Sequence, residues 1–149
     1  MYNLDTNYIS EDKYMVKLII GVKGTGKTKA LIEMINAALD SSKGSVVCIE
    51  KGTNLQLTLS YNCRLINSDE YMINNASELY GFIAGLVASN HDITDLFVDA
   101  TFRICQRDID AFDKFVTEVD DLSSKYGINI IMTVSMPAEN TSETMKKYI

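Results

Sequence analysis

Gly21-Val22-Lys23-Gly24-Thr25-Gly26-Lys27-Thr28 fits the phosphate-loop pattern G-x-x-x-x-G-K-[ST] at every fixed position. The chemistry requires these residue types. Glycines let the backbone curl so that successive N–H groups point at phosphate oxygens. A helix starting there adds the positive end of its dipole. Lys27 supplies a point charge for the outer phosphates, and the Thr28 hydroxyl is a magnesium ligand. Lys23 and Thr25 either reach phosphate or stand as solvated loop positions. With Lys29, the run Gly21–Lys29 is the expected nucleotide-binding segment, and Mg2+ and ATP are the expected cofactor and ligand.

A second group belongs with the first. Asp95-Leu96-Phe97-Val98-Asp99 places a carboxylate at the end of an apolar run, in the manner of a Walker B strand. A carboxylate there holds magnesium through water; otherwise Asp99 caps a strand end. His91, the only histidine, sits in the polar stretch Ser89-Asn90-His91-Asp92 and reads as a loop residue.

These residues need a scaffold, and the apolar periodicity supplies one. Val16–Ile20, Val46–Glu50, Leu96–Asp99 and Ile128–Val134 read as buried strands. Helices are expected from Lys27 to Leu39, after the Asn75/Glu78 capping box, and from Ile109 to a stop at Gly127. Leu55, Leu57 and Leu59 alternate with polar residues ahead of Arg64–Ile66, which suits an edge strand or a hairpin equally. Gly81 and Gly85, one turn apart, suggest close packing of their helix on the sheet. One short helix is expected after Pro137. Strands alternating with helices predict an α/β fold: one three-layer sandwich with a mainly parallel sheet. Residues 15–149 form that nucleotide-binding domain, with residues 1–14 as an N-terminal extension.

Composition narrows the partners. The chain has 149 residues, 46% of them hydrophobic, and a formal net charge of −6, so nucleic acid is not expected as a partner. No stretch approaches the ~20 apolar residues of a membrane span. The N-terminus lacks the order of a signal peptide. Cys48, Cys63 and Cys105 lack metal spacing and read as reduced thiols, so a cytoplasmic location is expected.

From Val16 to about Ser135 the chain resembles the RecA-like, additional-strand branch of P-loop NTPases. The resemblance rests on the phosphate-loop strand, a strand ending in Glu50, the strand ending in Asp99, and a following strand ending at Ser135. It implies that the last of these lies between the strands leading to the phosphate loop and to Asp99. It makes Lys27 and Glu50 the catalytic candidates, Glu50 activating water from the end of its strand; the other reading of Glu50 is a surface residue beside Lys51. Many such families carry a glutamate directly after the aspartate, where this chain has Ala100, and that departure bears on hydrolysis. Thr133 or Ser135 is placed to sense the terminal phosphate. Arg103 or Arg107 is either an arginine finger across a subunit interface or a salt-bridged surface residue. The chain is also similar to small clostridial-type P-loop proteins labelled as pilus-retraction ATPases, without the extra domain and histidine motifs of retraction motors. Thymidine kinases share the plan but carry paired cysteines absent here.

The expected function is therefore a magnesium-dependent ATP-binding protein, a slow ATPase acting with a protein partner or as a homo-oligomer. The alternatives are a non-hydrolysing nucleotide sensor and a nucleoside kinase.

Overall fold

The computed structural model describes residues 15–149; the proposed extension, residues 1–14, lies outside them. Five strands, β1 (Val16–Gly21), β2 (Ser45–Glu50), β3 (Arg64–Asn67), β4 (Ile93–Val98) and β5 (Asn129–Ser135), form one sheet in the order β1-β5-β4-β2-β3. Every pairing is parallel. β5 thus separates β1 from β4, as expected. Parallel pairing puts the carboxyl ends of all five strands on one edge, where ligands bind in open α/β sheets.

The strands are continuous apolar runs because both faces are covered. Helix α1 (Lys27–Ser41) covers one face with Leu31, Ile35 and Ala38, which pack on Val46, Cys48, Phe97 and Ile131. Helices α2 (Ala76–Ser89) and α4 (Ile109–Tyr126) cover the other, meeting Val47, Ile49, Leu96 and Val98. The pleat alternation along β2 therefore feeds the two layers in turn. Short helices α3 (Thr101–Ile104) and α5 (Glu143–Lys146) complete the second side. Caps fix the helix ends: Asn75 accepts from the Glu78 N–H at 2.8 Å, and Gly127 ends α4 with φ 68°.

Two expectations need correction. The alternating leucines form neither strand nor hairpin: Leu55–Leu59 is a series of turns, and only Arg64–Asn67 pairs, as the sheet edge. Leu55 and Cys63 are buried in the α1-side core while Leu57 is fully exposed. The alternation reflects which side chains a folded-over loop tucks in, not a pleat. Gly81 and Gly85 do not touch the sheet either; both are exposed, and among the described residues a side chain there would meet nothing within 4 Å. Leu79, Ile83 and Val87 carry the packing of α2, and the glycines lie on its solvent face.

Among the described residues no helix is long and apolar enough to cross a membrane. The three cysteines are free and buried.

Candidate functional site

The loop between β1 and α1 owes its shape to two left-handed glycines, Gly24 (φ 86°) and Gly26 (φ 88°), where a side chain would be strained. Its inner tie is the Val22 carbonyl. That oxygen accepts from Thr25 Oγ1 at 2.7 Å and from Lys27 Nζ at 2.9 Å. The lysine thus lies over the loop and does not extend into solvent. Gly26 precedes α1 with no side-chain cap, so the first N–H groups of α1 are open to an anion.

Asp99 stands just beyond β4, its N–H prolonging the ladder to Ile49 O at 2.8 Å. Both of its oxygens are engaged. Thr133 Oγ1 donates to Oδ1 at 2.5 Å, and Thr28 Oγ1 donates to Oδ2 at 3.3 Å. Thr133 Oγ1 also accepts from the Ala100 N–H at 2.8 Å. The pair Thr28–Asp99, 71 residues apart in sequence, is brought together because α1 starts above the carboxyl end of the sheet. A hydroxyl and a carboxylate are hard oxygen donors. They suit magnesium that keeps several waters and phosphate oxygens. Among the described residues no cluster of three or more His, Cys, Asp or Glu side chains gathers to hold a metal by protein ligands alone.

A cleft of about 820 Å3 opens over this edge, lined by Val22–Gly24, Gly26–Lys29, Asp99 and Ala100, with Thr133 and Ser135 beneath. Its volume lies within the roughly 300–1,000 Å3 of small-molecule sites. Phe102, Met136 and Pro137 form an apolar wall, which sequence reasoning did not find. Arg103 and Arg107 line the same cleft of the same chain, and neither has a carboxylate partner among the described residues. Their four-residue spacing directly after the Asp99 strand was the available signal.

Glu50 does not behave as the resemblance implied. Its strand end does not open into the crevice; the residue is 2% exposed. Its Oε1 accepts from the Asn54 N–H at 3.0 Å, and its Oε2 from the Leu55 N–H at 3.1 Å. The reading of a surface glutamate beside Lys51 fails too, because Glu50 is buried; Lys51 itself pairs with Asp69 at 2.6 Å. Burial raises the Glu50 pKa from its ordinary value, although the two N–H groups oppose the shift. The carboxylate serves as the anchor of the loop that follows it. Thr133 is likewise engaged with Asp99, whereas Ser135 is exposed in the cleft. His91 is an exposed turn residue.

Compared with protein-family models and with curated protein sequences, the chain matches none.

Proposed function

We propose that this protein binds a magnesium–nucleoside triphosphate, ATP in the first instance, as a RecA-like, additional-strand P-loop NTPase with slow intrinsic turnover. The observation that carries the reading is the hydrogen bond from Thr28 to Asp99. It unites a complete phosphate-loop sequence with a strand-end carboxylate across an intervening strand. Lys27 would neutralise the outer phosphates, the N–H groups of Gly24–Thr28 would cradle them, and Thr28 and Asp99 would hold magnesium. The ion would neutralise charge on the phosphates. Among the described residues Asp99 is the only carboxylate lining the cleft and is assigned to the metal, so a partner or a second copy would have to accelerate hydrolysis. A non-hydrolysing, nucleotide-dependent sensor is the second reading. It is favoured by Ala100 following Asp99 and by the engagement of Glu50 with Asn54 and Leu55.

Titration calorimetry with ATP, in the presence and absence of magnesium, tests binding. Lys27→Ala should lower triphosphate affinity about 100-fold with unchanged thermal unfolding. Equal affinity in variant and parent would remove the proposal. Turnover of ATP and GTP by the same preparations separates the enzyme from the sensor.

A further inference from the structure

Among the described residues Lys23, Lys27, Lys29, Arg103 and Arg107 line the cleft, against one acidic side chain, Asp99. The chain as a whole carries a net charge of −6, so this concentration of positive charge runs against the composition. The three lysines arrive with the phosphate loop. The arginines arrive from the opposite side, on α3 and the turn after it.

That opposite side is held in an unfavourable backbone geometry. Ala100 (φ 58°), Gln106 (φ 61°) and Arg107 (φ 53°) are left-handed and none is glycine. They bracket α3. Such residues persist where the surroundings over-determine them, and they gather at ligand clamps. The surroundings are specific here. Thr133 Oγ1 holds the Ala100 N–H. The Gln106 N–H donates to Arg103 O at 3.1 Å and the Arg107 N–H to Phe102 O at 2.9 Å, a helix stop of the kind glycine usually makes. Gln106 Nε2 then ties the turn to Asn74 O at 2.6 Å. Both guanidinium-bearing residues stay exposed, without a carboxylate partner among the described residues.

We infer that Arg103 and Arg107 contact the terminal phosphate of a bound triphosphate within their own chain and set the preference for triphosphate over diphosphate. This inference rests on the nucleotide-binding reading above. Asp99 meets Thr28 at the start of α1, where the terminal phosphate and its magnesium would lie, and α3 begins two residues beyond Asp99. Guanidinium groups suit that position because they donate two parallel N–H bonds to phosphate oxygens. The site is then electrostatically complete in one protomer and needs no arginine from a second copy.

The experiment is calorimetry with MgATP and MgADP on the parent and the Arg103→Ala/Arg107→Ala double variant. ATP affinity should fall roughly tenfold or more in the double variant, and ADP affinity should stay within about threefold. Arg103→Lys/Arg107→Lys should recover part of the ATP affinity, and unfolding temperatures should coincide. Adding Lys27→Ala protein, whose arginines are intact, should restore nothing. Equal losses for both nucleotides, no loss at all, or restoration by the Lys27→Ala protein would each overturn the inference. A parent that binds neither nucleotide would overturn the nucleotide-binding reading and this inference together; the other failures leave that reading standing.

Discussion

Asp99 and Glu50 stand at the carboxyl ends of neighbouring parallel strands, yet their surroundings make them different chemical objects. Asp99 is followed by a left-handed Ala100 that turns the chain into α3, so among the described residues its own loop does not fold back over the carboxylate, which lines the cleft and meets Thr28 at the start of α1. Glu50 is followed by residues 51–63, which fold back and bury Leu55 and Cys63 in the α1-side core. Its carboxylate becomes the acceptor for the backbone of that segment. The end of a strand in such a sheet offers a position; the loop beyond decides whether a charge there faces a ligand or holds the fold.

The largest effect that tests this contrast belongs to Glu50. Glu50→Ala leaves the Asn54 and Leu55 N–H groups without their acceptor, which should cost about 2–4 kcal/mol and lower the unfolding temperature by about 10 °C. Nucleotide affinity should change little, and a selective loss of turnover with stability intact would return Glu50 to the cleft. Glu50→Gln keeps an acceptor and removes the buried charge. Because the folded-state pKa of Glu50 is raised, ionisation costs stability as pH climbs from the unfolded carboxylate value, about 4.3, through the folded one. Thermal unfolding should therefore show Glu50→Gln gaining on the parent between acidic and neutral pH. A constant difference would contradict the shift.

Asp99→Asn comes next. The amide oxygen can still accept from Thr28 or Thr133, so the fold should persist, while the tightening of ATP binding by magnesium should shrink about tenfold. Calorimetry at several magnesium concentrations reads this directly; an unchanged metal dependence would place the ion elsewhere. Smallest is Ala100→Gly, which relieves a left-handed alanine and should stabilise by about 0.5–1 kcal/mol in thermal unfolding. Destabilisation would mean that the methyl group contributes packing which outweighs the strain.

The sequence was informative wherever a short-range rule governs. The tight turn between β1 and α1, with left-handed Gly24 and Gly26, needed only the glycine pattern and its flanks. Four of the five strands followed from continuous apolar runs, and the intervening place of β5 followed from the resemblance. Residues 51–63 were not legible, because their leucine spacing imitates a strand while their conformation is set by distant burial and by Glu50. α3 was missed because four residues carry no period, and because its start depends on a hydrogen bond from Ala100 to Thr133, 33 positions away. The glycines of α2 misled in another way. Small residues suggest close approach, but here they merely face water.

The Val22 carbonyl, which gathers both Thr25 Oγ1 and Lys27 Nζ, bears on the thermodynamics of capture. A long flexible ammonium side chain ordinarily surrenders up to about 2 kcal/mol of rotamer entropy when a ligand fixes it. Lys27 has already surrendered part of that freedom to its own backbone. Under the proposed function, engaging a phosphate would be an exchange of acceptors, with Val22, 47% exposed, left where water can replace the lysine. Such an exchange would lower the ordering cost at the moment of binding and shift the signature of association toward enthalpy.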